Sequence, residues 1–413
     1  MIRAISRYIS IAAVLVPALA HAGGFGIDEQ DAAATGRGGT AGARAEASSA
    51  YYNPAGLAGI GSLEVELGAT GIAPSGSATD PSGVKTDGVN KLYLPPYLYA
   101  ARRDGNLAYG LSVNAPFGLG TSWPTSYEDR FEVESASFQT LAVMASGAYQ
   151  VIPALSLGLS VGAMRTTFDL TRGLDFVTTE GDVHLSASGW GLGVIAGARY
   201  TVGDVAAFGL SASLTSPTSL SGTARFQNVP VEFGPLTNDQ DISTKVTLPA
   251  RLRAAGSFHV AQPLRVDADL AYTFWSSFKS LDIAFSDPNT PSASQEKDWK
   301  NAFTVHLGGE YHLPTVADFR GGLSFDQAVA PVSTLGSDAP DGNRWQFCVG
   351  AGRELWQGVR ADLAYAFLLQ QTRTSQDPNF PATFTGHAHL IALSIGFKLP
   401  EPGQTTNSAV AER

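Results

Sequence analysis

Cysteine is almost missing from this sequence: Cys348 stands alone, which excludes an intramolecular disulfide and any multi-cysteine zinc site. Charge is thin as well, 15% of 413 residues, where soluble domains carry about a quarter. The 27 Lys and Arg are outnumbered by 37 Asp and Glu and form no basic stripe, which argues against a nucleic-acid partner. Apolar runs of the roughly 20 residues that a spanning helix needs are absent beyond the first twenty positions, so a helical membrane bundle is excluded. Disorder is excluded by the 44% of hydrophobic residues. What is present is glycine (45), phenylalanine (21), tyrosine (13) and tryptophan (6), with a mean hydropathy near zero. The chain is too long for one soluble core of ordinary size, leaving two or three soluble domains or one large closed barrel, and the composition favours the barrel.

Residues 1–22 have the pattern of a secretory signal. Arg3 and Arg7 precede a short apolar stretch with Ile9, Ile11, Val14, Leu15 and Val16, and Ala20-His21-Ala22 offers small residues at the cleavage positions. No second charged flank follows, as an uncleaved anchor would require, so Gly23 is the expected mature start.

From about residue 62 onward, period-two alternation separated by Gly, Pro, Asp and Asn clusters predicts strands. Leu264, Val266, Ala268, Leu270, Tyr272 and Phe274 share one face, while Arg265, Asp267 and Asp269 share the other. Val359, Ala361, Leu363, Tyr365 and Phe367 alternate likewise with Arg360 and Asp362. A soluble sandwich alternates too, but its strands run about five or six residues, whereas about fourteen candidates here include many long enough to cross a membrane at a tilt. Short turns near 150–153, 202–204, 261–263, 313–317 and 356–358 alternate with long connections near 117–135, 217–243, 282–299 and 327–343. That asymmetry belongs to outer-membrane barrels, whose long loops face outside. The expected fold is all-β, a 14-stranded antiparallel transmembrane β-barrel over residues 62–399, with a polar tail at 400–413.

Residues 23–61 do not alternate. Gly36-Arg37-Gly38-Gly39 has neither the preceding strand nor the following Gly-Lys-Ser/Thr of a phosphate loop, so a compact plug inside the lumen is the better reading.

Several segments, in order, carry a family resemblance. Gly23-Gly24-Phe25-Gly26-Ile27, Thr35-Gly36-Arg37-Gly38 and Asn53-Pro54-Ala55-Gly56-Leu57 resemble the hatch of the FadL family of outer-membrane transporters. Leu248-Pro249, residues 272–278, Trp299-Lys300-Asn301-Ala302-Phe303, Phe325-Asp326, residues 340–345 and a last strand over 386–397 continue the match. The resemblance implies a hatch at 23–61 and passive uptake of long-chain fatty acids or similar hydrophobic molecules in the outer membrane of a Gram-negative bacterium. Its steps are capture in an outer-loop groove, binding in an inner pocket, hatch rearrangement at Asn53, Pro54 and Ala55, and sideways exit at a kinked third strand. That strand is expected at residues 106–116. It ends in Asn114-Ala115-Pro116-Phe117-Gly118, where the proline removes a ladder donor and the glycine relaxes the chain; the simpler alternative is a strand ending at the rim.

Burying a carboxylate requires a cationic partner. By the resemblance Lys300 binds it, and its even parity with Thr304 and His306 predicts a lumen-facing side chain. The second cation is Arg172 or Arg165; parity with Leu155, Leu157 and Leu159 puts Arg165 on the lipid side and Arg172 on the other. Phe117, Leu119, Trp123 and Phe131, in the loop after strand three, are candidates for the apolar groove or for packing of the loop on itself. Trp275 and Phe278 fit a girdle or a pocket equally. His387 and His389 share the parity of Ile391 and Leu393 and read as an interfacial step rather than a metal site, and Cys348 is expected to face inward with no redox role. No cofactor or metal is expected. The partners are the hydrophobic ligand and outer-membrane lipid with lipopolysaccharide, and the chain is expected to be a monomer. No nucleophile elbow or Ser/His pair supports a barrel lipase, and the hatch argues against a general porin; uptake of neutral or aromatic hydrocarbons by the same route is the alternative.

Overall fold

The computed structural model describes residues 24–399 except 177–178 and 379–380; the expected signal (1–22) and tail (400–413) lie outside the described residues. Twenty strand segments form one antiparallel sheet that closes on itself as a 14-strand barrel. The segments are β1 (Leu63–Thr79), β2 (Lys85–Asp87), β3 (Pro96–Asp104), β4 (Leu107–Asn114), β5 (Gly118–Ser122), β6 (Ser135–Ile152), β7 (Leu155–Asp175), β8 (Glu180–Val202), β9 (Ala206–Thr215) and β10 (Thr218–Gln227). They continue with β11 (Gln240–Val246), β12 (Arg251–Ala261), β13 (Leu264–Thr273), β14 (Ser280–Phe285), β15 (Ala293–Glu296), β16 (Ala302–Leu313), β17 (Ala317–Asp326), β18 (Arg344–Trp356), β19 (Val359–Thr374) and β20 (Thr383–Leu399). The difference between twenty and fourteen comes from interrupted staves: β2/β3, β4/β5, β9/β10, β11/β12, β13/β14 and β15/β16 each run as one stave with a break toward the long-loop end. Thus β8 pairs with β9 and then with β10, and β11 and β12 follow β10 and β9 on the other side. Prolines fall in several of the breaks, at Pro116, Pro217 and Pro249, where a missing N–H cannot serve the ladder. β20 pairs with β1 over its full length and closes the barrel.

Alternation sets the two faces as expected. Leu270 and Tyr272 of β13 are exposed on the outer surface, whereas Asp267 and Asp269 are buried inside. Exposed apolar rows repeat around the wall, for example Leu157, Leu159 and Val161 on β7 and Leu363 and Tyr365 on β19. In a membrane that surface is solvated by lipid.

Residues 24–61 lie inside the barrel. Two short helices, α1 (Ala32–Gly36) and α2 (Ser49–Tyr52), and a 3-10 turn (Pro54–Gly59) pack against inward faces on opposite sides of the wall. Ionic contacts fix them. Arg37, fully buried, reaches Glu46 (2.9 Å) and Glu310 (3.4 Å), and Arg44 forks onto Asp267 (2.6 and 3.1 Å) and reaches Glu310 (3.1 Å). Asn53 caps the 3-10 turn through Oδ1, which accepts from the Ala55 amide (3.3 Å), and its Nδ2 donates to the Gly42 and Ala198 carbonyls. The wall makes room with glycines. A Cβ on Gly197 would sit 2.0 Å from Asn53 Oδ1, and one on Gly158 2.3 Å from the Ala55 nitrogen. Gly38, at φ +70°, lies against Gly322 and the Leu307 carbonyl, so the Gly36-Arg37-Gly38-Gly39 run serves a tight backbone approach.

The outer connections interlock. Trp123 Nε1 donates to the Ser337 carbonyl (3.0 Å), Lys297 Nζ pairs with Asp338 (2.5 Å), and Gln295 donates to Glu132 (3.2 Å). Burial and the nearby Asp338 push the Glu132 carboxyl up to about 8 against the opposing pull of Lys297. An acid whose folded pKa is raised favours the fold fully below its unfolded value, and that contribution is lost as pH rises toward about 8. Glu132→Gln should therefore raise the melting temperature at pH 9 and leave it nearly unchanged below about pH 4.5, near the ordinary glutamate value. An equal shift at both pH values would refute this origin.

Candidate functional site

The third stave is broken where the proline predicted it. β4 stops at Asn114, β5 resumes at Gly118, and the β3–β4 ladder ends at Leu98 and Val113. Beyond that pair the next bond across the wall is Val89 N–H to the Ser122 carbonyl (2.7 Å). Between the two lies a gap with Pro95 and Pro96 on one side and Pro116 on the other, and among the described residues no ladder pair spans it. Unpaired strand edges inside a membrane need another partner.

The N-terminal segment supplies that partner. The Ile27 amide donates to the Pro116 carbonyl, and the Gly118 amide to the Phe25 carbonyl, both at 2.9 Å. Gln30 continues the row: its Nε2 donates to the Ala115 carbonyl (2.8 Å), and its Oε1 accepts from the Ala115 amide (3.0 Å). Tyr99 donates to the Gln30 carbonyl (2.6 Å) while accepting from Asn114 Nδ2 (2.6 Å). Glycines let side chains close the remaining space: Ile27 sits where a Cβ on Gly118 would fall, and the Tyr93 hydroxyl where one on Gly120 would.

Behind the gap is a cavity of about 650 Å³, within the range of ligand sites. It is lined inside by Phe25, His306 and Arg344, and its wall also includes Leu141 and Arg165, whose side chains are exposed on the outer face. The space therefore runs from the lumen through the gap. A smaller chamber of about 100 Å³ lies beside it, lined by Tyr51, Met144, Met164 and Trp275; Gly26, Asp28 and Phe117 border both. Phe25 anchors the partition, with ring centroids 4.7 Å from Trp275, 5.0 Å from Phe138 and 5.4 Å from Trp299.

Charge gathers at the same point. Asp28 forks onto Arg251, through Nη1 and through Nη2 at 2.6 Å, with Arg253 Nη2 at 3.3 Å and His306 Nε2 at 3.5 Å. Burial would raise the Asp28 carboxyl, but Arg251 and Arg253 outweigh it and hold the group well below the usual range.

The residues singled out from sequence fall in different places. Asn114, Ala115, Pro116 and Gly118 edge the gap. Phe117 is inside, between Phe25 and Trp275, and Leu119 lines the cavity. Trp123, buried under the loops and stacked on Tyr127, lines the same cavity, whereas Phe131 is half-buried beneath Arg130 outside it, so three of the four border one inner space and not an exposed groove. Asn53, Pro54 and Ala55 are seated against β7 and β8, apart from the gap. Lys300 does not point into the lumen: it is 57% exposed, its ammonium on Asp298 at 2.6 Å, because β16 begins at Ala302 and parity does not carry across the unpaired residues before it. Arg165 lies outside over Trp190, as parity predicts, and Arg172 is half-buried with Nε unpartnered. These three cations do not converge. Trp275 is buried in the aromatic cluster rather than placed in a girdle, His387 and His389 are exposed with His389 bonded to Tyr365 (2.8 Å), and Cys348 is buried, facing inward. Sequence reasoning missed Asp28, Gln30, Arg251 and His306. Their signal was present only as polar residues at inward parity and just after the glycine-rich start.

A closed barrel with an inner cavity that reaches its lipid face defines a class of membrane transport proteins rather than a soluble binder. Residues 13–399 match the family described as outer membrane protein transport protein (OMPP1/FadL/TodX), and the chain belongs to that family. It is 22% identical to the long-chain fatty acid transport protein of Escherichia coli K12, covering 94% of this chain and 97% of that one. It is 24% identical to outer membrane protein P1 of Haemophilus influenzae over 74% and 75% of the two chains. Among solved structures, a Pseudomonas aeruginosa FadL homologue superposes with a TM-score of 0.83 at 18% identity, over 91% of this chain and 100% of that one. The toluene transporter TodX of P. putida gives 0.74 at 17% identity, with coverage of 91% and 100%. The protein is an outer-membrane transporter of hydrophobic compounds, in a family of transport channels.

Proposed function

We propose that this transporter takes up long-chain fatty acids and similarly shaped amphiphiles, that residues 24–61 act as its hatch, and that the ligand leaves sideways through the gap beside Pro116. The observation that carries this reading is the single cavity of about 650 Å³ running from the lumen to the outer face. The E. coli relative is a long-chain fatty acid transport protein, and basic groups, His306 and Arg344, stand on the cavity wall here. Phe117, Leu119 and Leu141 beside the gap and lipid at the exit favour an alkyl chain, so movement needs only release of the hatch strand. One observation favours neutral hydrocarbons instead: Arg251 and Arg344 each already face a carboxylate, Asp28 and Asp326 (3.7 Å).

A reversible lock tests the exit. With Cys348→Ser as background, Ile27→Cys and Gly118→Cys bring two thiols together, since Ile27 Cγ1, the position a cysteine sulfur takes, lies 3.7 Å from an ideal Cβ at 118. Oxidation is expected to stop uptake of labelled oleate by cells, and reduction to restore it. Undiminished uptake with the disulfide formed would refute passage through this gap.

A further inference from the structure

We propose that Asp28 is a resident substitute for the acid end of the ligand: an incoming carboxylate takes its place on Arg251, and the freed Asp28 lets residues 25–27 leave the gap. This rests on the fatty-acid reading above and adds to it the site of the acid group and the trigger of opening.

Four observations meet at this point. Asp28 borders both chambers, so a ligand in the cavity reaches it directly. Arg251 holds Asp28 by two parallel bonds, the geometry in which guanidinium recognises any carboxylate, and its Nε is buried with no partner, leaving a donor in reserve. Among the described residues Arg251 pairs with no other acid, whereas Arg253 also serves Asp269 at 3.0 Å. Finally, Asp28 directly follows Ile27, whose amide holds the Pro116 edge, so its side chain and the gap closure share one short piece of backbone.

The exchange conserves charge. One carboxylate replaces another on Arg251, so no unpaired ion is buried there, and Asp28 moves into the polar part of the cavity near His306. A neutral ligand brings nothing to exchange and leaves Asp28 seated. Acid recognition and opening are thereby the same event, and a differential affinity for the open state is what shifts the equilibrium.

The test follows the hatch strand. Ile27→Cys in the Cys348→Ser background, purified in detergent, is labelled with a bulky water-soluble maleimide while binding of tritiated ligand is measured in parallel. Dodecanoate is expected to speed labelling roughly tenfold, in the range of allosteric coupling, and 1-dodecanol to leave it unchanged. Asp28→Asn should label fast with no ligand, and Asp28→Glu, which keeps the carboxylate, should restore ligand dependence. Dodecanoate that binds without changing the labelling rate would overturn the displacement and leave the cavity assignment standing. Equal acceleration by the alcohol, or slow labelling of Asp28→Asn, would overturn it as well. Absence of dodecanoate binding would remove the fatty-acid reading itself.

Discussion

Gly158→Val is expected to convert the closed barrel into an ion-conducting pore. A Cβ at 158 would lie 2.3 Å from both the Ala55 nitrogen and the Pro54 carbonyl carbon, far inside contact distance and against backbone rather than a flexible side-chain end. The wall strand is held in register on both sides, by β6 and by β8, so the 3-10 turn at Pro54–Gly59 must be the part that moves. Moving it pulls Asn53 off the Ala198 carbonyl and unseats the turn that fills the space under β6, β7 and β8. Planar-bilayer recordings should show frequent openings in Gly158→Val and rare ones in the parent. Gly147→Val is the control, since nothing lies within 4 Å of its added Cβ. A silent Gly158→Val with the parent's heat stability would mean that the fit between turn and wall is slack.

Arg44→Ala is expected to give the largest loss of stability. The guanidinium is 4% exposed and makes two bonds to Asp267, itself 3% exposed, plus one to Glu310. Its removal leaves Asp267 as a buried carboxylate with no cation of its own, a change that costs about 3–5 kcal/mol in comparable buried pairs. Arg44→Lys should recover only part, because an ammonium cannot fork onto Asp267, and Arg44→Ala with Asp267→Asn should recover more than the two single losses predict. Urea titrations of the parent and of the four variants, Asp267→Asn alone included, would decide this; strict additivity would show that the pair is not coupled. The same network sets an acid limit. Burial would raise Glu46, but Arg37 and Arg44 outweigh it and bring it to about 2. A lowered carboxylate pKa contributes stability that is complete above the unfolded value and lost as pH falls toward about 2, and Arg44→Ala should move that loss to higher pH.

Much of the wall was legible from sequence because a paired strand transmits parity without error. Asp267 and Asp269 face in and Leu270 and Tyr272 face out, as alternation requires, and Pro116 marks the broken stave. Parity failed at Lys300, in a stretch where a stave is interrupted and the backbone turns without a partner, whereas Trp275 keeps the inward parity of Asp267 and Asp269 and is buried. The site itself was legible only in part. The family resemblance drew attention to Asn53, Pro54 and Ala55, whereas the groups that close the gap are Phe25, Ile27 and Gln30, joined to it by main-chain and amide bonds that leave no mark on composition or periodicity. The Asp28–Arg251 pair spans most of the barrel's sequence, and no local pattern could have joined its members.

Every residue of β1 finds a partner on β20, from Leu63 with Leu399 to Thr79 with Thr383. The seam that joins the two ends of the sheet is thus unbroken along its whole length, like the β7–β8 ladder, while the third stave is bonded in part to the N-terminal segment through Phe25, Ile27 and Gln30. Under heat or detergent the wall should yield at the door and not at the seam. The two ends of the sheet meet along a ladder with no gap in it, so the hoop is expected to stay closed at its own join when the wall parts at the third stave.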